Sequence, residues 1–211
     1  MLIDKGRAAF IAVDVQNDFC PGGALAVPEG DAVVPVVNRL AEFFELCVAT
    51  QDWHPAGHSS FASSHPGAVP YGSALIAGRD STLWPDHCAQ GTRGAEFHPG
   101  LNTAPYRLVI RKGFRPALDS YSAFFENDGA TPTGLDGYLR GLGAPTVVIA
   151  GLALDYCVYY SALDAARLGY SVYVARDACR SVGSPSGSEE RALADLSSRG
   201  VAIIDSMEVF R

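Results

Sequence analysis

Three residues whose types could carry out acyl chemistry lie far apart in the chain: Asp14, Lys112 and Cys157. A thiol attacks as its thiolate, so it needs a base or a cation beside it. Asp14 could accept the proton, and Lys112 could lower the thiol pKa and orient the sulfur. The sulfur would then add to a carbonyl carbon, with the backbone N–H groups of Ala153 and Cys157 holding the oxyanion. Taken singly, Asp14 and Lys112 more often form a salt bridge at a sheet edge, and a cysteine more often packs in a core. A buried lysine needs an acidic neighbour on either reading. A second set consists of Asp52, His54, His58 and His87. Asp52 and His54 stand two apart, on one face of an extended segment. His58 follows four residues later, and His87 lies in Trp84-Pro85-Asp86-His87-Cys88. Three imidazoles and a carboxylate, completed by water, suit one divalent metal ion, with Zn first and Fe or Mn as alternatives. Solvated loops carry His and Asp as well, so the spacing alone is a modest signal.

The elements that must position these groups can be read from periodicity. Thr146 to Ala150 is a short β-branched run that reads as a buried strand, and Val158, Ala162, Ala165, Ala166 and Gly169 recur at helical spacing behind it. Cys157 therefore sits at a strand-to-helix turn, where free N–H groups and the helix dipole favour negative charge. Further strands are expected over Ala8–Val15, Leu46–Thr50, Arg107–Arg111, Ser171–Ala175 and Val201–Ile204, and helices over Asp31–Glu45, Leu135–Leu142 and Glu189–Ser198. Each strand reads as a continuous apolar run rather than an alternation. That pattern, with helices between strands, predicts a three-layer α/β/α fold around a central, mainly parallel six-stranded sheet. Asp14, Asp52, Lys112 and Cys157 all fall at the ends of such strands, the edge where open α/β sheets bind ligands. Residues 55–105 are rich in Pro, Gly and Ser with no sustained periodicity. A loop of that length is expected to be functional or locally structured. With no repeat and no linker, residues 1–211 read as one domain.

A net charge of -7 and a pI near 5.1 argue against nucleic acid or an anionic membrane surface as partner. No apolar run approaches the roughly 20 residues of a membrane helix, and Met1 to Arg7 does not read as a signal peptide. Five cysteines without a C-x-x-C pair do not form a disulfide framework, so a cytoplasmic location is expected. A small molecule is the expected partner. One chain carries no reading of an interface, which leaves a homo-oligomer open. Phe19, Trp84, Tyr121 and Phe124 could build an aromatic wall for a flat substrate, although each alone would more often be core.

The combination resembles the nicotinamidases (pyrazinamidases) of the isochorismatase-like cysteine hydrolase superfamily, nearly end to end. The resemblance rests on Val13-Asp14-Val15-Gln16-Asn17-Asp18-Phe19, Thr50-Gln51-Asp52-Trp53-His54 with His58, and Trp84-Pro85-Asp86-His87-Cys88-Ala89-Gln90-Gly91-Thr92. Lys112-Gly113, Asp119-Ser120-Tyr121-Ser122-Ala123-Phe124-Phe125 and Gly151 to Val158 complete it. It implies an isochorismatase-like hydrolase fold with Asp14, Lys112 and Cys157 as catalytic triad. Asp52, His54, His58 and His87 would ligate the metal, near which a pyridine nitrogen docks. A cis Leu152–Ala153 peptide would turn the Ala153 N–H toward the oxyanion beside that of Cys157, and Phe19, Trp84 and Tyr121 would line the ring pocket. The implied reaction is nicotinamide plus water to nicotinate plus ammonia through a thioester, in NAD salvage, with pyrazinamide as a second substrate. The chain departs from its relatives at Leu154, where Thr is common, and the segment from Ser59 to Leu83 is expected to border the pocket. Two alternatives remain. An amidase of the same superfamily acting on a carbamoyl or ureido group would lack part of the metal set, and a non-catalytic metal- or ligand-binding protein would lack part of the triad.

Overall fold

The computed structural model describes residues 3–210. Its centre is a six-stranded sheet in which every pairing is parallel. The strands are β1 (Ala8–Val13), β2 (Leu46–Asp52), β5 (Tyr106–Lys112), β6 (Thr146–Leu152), β7 (Ser171–Arg180) and β8 (Ala202–Ile204), in the order β5-β2-β1-β6-β7-β8. β1 and β2 are buried at every position, as strands covered on both faces must be. The helices are α1 (Val34–Phe43), α2 (Leu135–Gly141), α3 (Tyr159–Arg167), α4 (Ser188–Ser198) and the short α5 (Ser206–Val209). From β1 the chain crosses through α1 to β2 on one side. From β6 it crosses through α3 to β7 on the other. Right-handed crossovers running in opposite directions put α1 and α3 on opposite faces, which gives the three layers the sequence predicts. Among the described residues no helix is long and apolar enough to cross a membrane.

Three local features differ from the sequence expectations, each for a physical reason. β5 alternates part-buried and exposed positions instead of being continuously apolar, because it is an edge strand whose outer side has no neighbour. β7 runs on to Arg180, five residues past Ala175, after a register shift opposite Ile149 and Gly151. The segment 55–105 contains an antiparallel hairpin, β3 (Ser73–Ile76) and β4 (Arg79–Thr82), over a small cluster of Ala62, Ile76 and Leu83. Four-residue strands with mostly solvated faces leave little apolar alternation to read.

The carboxyl ends of the strands are set by register. Val13 lies opposite Gly151, and Asp52 lies opposite Lys112. Gly151 has φ +122°, and a Cβ there would stand 2.1 Å from the Val13 carbonyl oxygen. Only glycine lets β1 and β6 approach this closely. Gly151→Ala is expected to lower the unfolding free energy by roughly 3 kcal/mol or more, measured by denaturant titration. A change below about 1 kcal/mol would show that the strands can part without cost.

Candidate active site

Asp14 follows β1 directly and takes φ 47°, a left-handed turn that brings its side chain over the sheet end. Thr50 on β2 holds it there. The Asp14 N–H donates to Thr50 Oγ1 at 3.1 Å, and the same hydroxyl donates to Asp14 Oδ1 at 2.6 Å. Gln16 locks the next turn to β2. Its Nε2 donates to the Asp52 carbonyl (2.8 Å) and its Oε1 accepts the Asp52 N–H (2.8 Å), like one more pair of rungs on the sheet. Lys112, the last residue of β5, is fully buried. Its Nζ donates to Asp52 Oδ1 at 2.9 Å, the Ser120 carbonyl at 3.0 Å and Cys157 Sγ at 3.4 Å. It also pairs with Asp14 Oδ2 at 2.7 Å. This ion pair is the shortest of the four contacts of the ammonium.

Cys157 lies in a wide π-helical turn, Leu154–Val158, that follows the cis Leu152–Ala153 peptide and leads into α3. The Ala153 carbonyl accepts the N–H groups of Tyr156 and Val158. The side chain of Asp155 accepts the Val182 and Gly183 N–H groups and the Ser188 hydroxyl, which ties this turn to the loop before α4.

Electrostatics here reverse one expectation. The turn and Lys112 were expected to lower the Cys157 thiol pKa. Burial pushes it well above the ordinary cysteine value instead, and although Lys112 opposes this, Asp14 and Asp52 add to it. Burial likewise raises Asp14, against the pull of Lys112. Burial alone would lower Lys112, but Asp14 and Asp52 hold it well above its usual range. The resting state is therefore a neutral thiol beside an ion pair.

Asp52 also faces a second cluster. Its Oδ2 lies 3.1 Å from His54 Nε2 and 3.3 Å from His87 Nε2, and one donor atom from each residue lies within 4.8 Å of the other two. The far nitrogen of each ring is bonded to main chain, His54 Nδ1 to the Gly113 carbonyl (2.9 Å) and His87 Nδ1 to the Pro85 carbonyl (2.8 Å). Such bonds fix the tautomer that leaves Nε2 as the metal-binding atom. Gly113 is required at this point. It has φ +67°, and a Cβ would strike the His54 ring at 2.4 Å. Burial lowers the His54 pKa, but the Asp52 carboxylate overrides it and lifts the value to about 9. His58 stands in a second group of possible ligands with His54 and Asp119, so His54 belongs to both groups.

Both clusters open on one narrow cavity, whose lining includes Phe19, Trp84, Tyr121, Ala153, Cys157 and the Asp52–His54–His87 cluster. Trp84 Nε1 donates to the Tyr121 hydroxyl at 2.9 Å, and Tyr156 packs edge-on against Trp84 at 4.8 Å. Phe19 lies edge-on to His87 at 5.5 Å. Phe124 does not join this wall; it is buried against Tyr170. Leu25, Asp119, Tyr156 and Val182 also line the cavity, and sequence reasoning missed them. Tyr156 had a signal in its place next to Cys157, but Leu25 and Val182 look like any core residue. Strand β4 of the hairpin lines a neighbouring cleft with Tyr121 and Tyr156.

The thiol assignment gives a titration test. The ultraviolet absorbance of the Cys157 thiolate, taken as wild type minus Cys157→Ser, is expected to appear only above the ordinary cysteine value of about 8.5. A raised pKa stabilises the neutral thiol at low pH, and that preference is lost as pH rises through the folded value. A thiolate signal already complete at pH 7 would overturn this electrostatic account.

Comparison with known proteins agrees with the geometry. Residues 8–208 match the isochorismatase domain. The chain is 46% identical over 203 residues to a nicotinamidase of Acinetobacter baylyi, covering 96% of this chain and 94% of the relative. Among solved structures, a nicotinamidase/pyrazinamidase of Acinetobacter baumanii superposes with a TM-score of 0.94 at 47% identity, over 97% of this chain and 98% of that one. A pyrazinamidase of Pyrococcus horikoshii in complex with zinc gives a TM-score of 0.78 at 39% identity, over 94% and 99% of the two chains. The chain therefore belongs to the isochorismatase-domain family and is similar to its nicotinamidases along almost its whole length.

Proposed function

We infer that the chain is a nicotinamidase, a metal-containing cysteine amidohydrolase that converts nicotinamide to nicotinate and ammonia and also accepts pyrazinamide. One observation carries the reading. A buried ammonium touches a thiol, the Asp14 carboxylate and the carboxylate of a His-rich cluster, and the thiol and that cluster line one aromatic cavity. The ring of the substrate lies among Trp84, Tyr121 and Phe19, which line the cavity, with its amide toward Cys157. Asp14 takes the thiol proton as Sγ forms a bond to the amide carbon, and the N–H groups of Ala153 and Cys157 stabilise the oxyanion. Asp14 returns the proton to the amide nitrogen, the C–N bond breaks, ammonia leaves and a thioester remains. Water, deprotonated by Asp14, then adds to the thioester; the C–S bond breaks, the sulfur regains a proton and the carboxylic acid product leaves. Lys112 holds the Asp14 and Cys157 side chains together throughout.

The metal reading is supported by the donor set and by charge. Asp14 and Asp52 are buried carboxylates that share one lysine, Asp119 is a third beside His54, and buried charge needs neutralisation. A divalent cation with two neutral imidazoles supplies it. Asp52, His54 and His87 would hold the ion, and bound there it supplies a Lewis acid for the ring nitrogen. The zinc complex of the Pyrococcus horikoshii relative favours zinc, with Fe or Mn compatible with the same ligands. The sheet and the family match span nearly all of 1–211, which supports one isochorismatase-like hydrolase domain. Five free cysteines support a cytoplasmic setting, where nicotinate would enter pyridine nucleotide synthesis.

Cys157→Ala is expected to lower ammonia release from nicotinamide by on the order of 10³-fold or more and to leave the metal content unchanged. Chelation should abolish wild-type activity, and added zinc, manganese or iron should restore it. Substantial turnover by Cys157→Ala would sink the thiol mechanism. No ammonia from metal-loaded protein with a reduced thiol would discard nicotinamide and leave an amidase for another small amide.

A further inference from the structure

Asp119 is a buried carboxylate that the triad chemistry does not use. It lines the catalytic cavity. Its Oδ1 accepts the Ser120 N–H at 2.8 Å, and its carbonyl accepts the Asn127 N–H, so the main chain fixes where the group points. The same Oδ1 stands 4.0 Å from His54 Nε2, and among the described residues His54 is its one ion-pair partner. His54 and His58 both stand near this carboxylate, but Asp119 lines the cavity together with Asp52, His54 and His87, and that lining does not include His58.

His58 is arranged differently. The Ser60 N–H donates to its Nδ1 at 3.2 Å, and the Ser60 hydroxyl lies 2.7 Å from the same atom. Nδ1 is thus the acceptor, and Nε2 carries the hydrogen that it donates to the Arg115 carbonyl at 2.9 Å, with the Leu118 carbonyl at 3.4 Å. A neutral imidazole has one lone pair and one N–H, and here both are committed within the protein. The carbonyls it holds belong to the turn from which Asp119 projects.

We propose that Asp119, not His58, is the fourth side chain facing the cation held by Asp52, His54 and His87, and that His58 is a positioning residue for the Asp119 turn. The assignment rests on the metal reading above and refines which of this chain's residues serve it. The net charge of the cluster then depends on Asp119, whereas His58 contributes a hydrogen bond that another donor can replace.

The test is zinc affinity by chelator competition on the full chain, with the visible spectrum of the cobalt-substituted protein as a second readout. Asp119→Asn keeps an acceptor for the Ser120 N–H and is expected to weaken zinc binding about 10- to 100-fold and to shift the cobalt bands. His58→Gln keeps a donor for the Arg115 carbonyl and is expected to retain wild-type affinity and spectrum. Circular dichroism on both variants separates loss of metal from loss of fold. Wild-type affinity and spectrum in folded Asp119→Asn, or metal loss in folded His58→Gln as severe as in His87→Ala, would overturn the assignment alone. Wild-type protein that takes up neither zinc nor cobalt would overturn the metal reading and this assignment together.

Discussion

The site depends on keeping the Lys112 ammonium charged while fully buried. An ammonium moved out of water loses several kcal/mol of hydration even after the protein relaxes around it, and only close, well-directed partners recover that cost. Here they come from four separate pieces of chain: Asp14 after β1, Asp52 on β2, the Ser120 carbonyl beyond β5, and Cys157 after β6. A strand slipped by one residue would turn at least one of these side chains to the opposite face. The charge thus makes the register of the sheet a functional constraint as well as a packing one.

Asp52 joins the two halves of the site. One carboxylate oxygen takes a hydrogen from Lys112, while the other faces His54 and His87. Lys112 and His54 both hold its pKa well below the usual carboxylate range, although burial pushes it up. A cation bound at the histidines would draw on the same carboxylate that steadies the lysine. The backbone of Asp52 is held by two hydrogen bonds with the Gln16 side chain, which keeps its carboxylate between the two groups.

Much of this was legible in the sequence because it depends on strand ends. Continuous apolar runs located β1, β2 and β6, and the polar residues closing them had to gather at one edge of a parallel sheet. Thr50 and Gln16 were visible as letters but not as partners, since their roles exist only once β1 lies beside β2. The β3–β4 hairpin escaped notice because short solvated strands bury too little to leave a pattern. His58 was legible by its spacing after the Asp52–His54 pair, but its contacts with Ser60 and the Arg115 carbonyl exist only once the loops are folded together. The direction of the thiol pKa was misjudged for a related reason. The sequence exposes Lys112 and the helix start, while the depth of burial and two carboxylates emerge only in the fold.

That raised pKa is better suited to the proposed chemistry than a preformed thiolate. A thiolate's intrinsic nucleophilicity falls as its pKa falls, so a thiol that holds its proton until a carbonyl arrives attacks as the stronger base. The proton is also needed later, because an amide nitrogen leaves as ammonia only after it is protonated. Asp14, itself raised by burial and close to both Lys112 and the thiol, can take that proton and give it back. Lys112 lowers the energy of the charged arrangement without accepting or supplying the proton, since the surrounding carboxylates hold its pKa far above the working range. The roles of carrier and clamp thus divide between Asp14 and Lys112. The division follows from burial: it raises the acid's pKa, and the lysine stays charged in the same interior only because the two carboxylates stand against it.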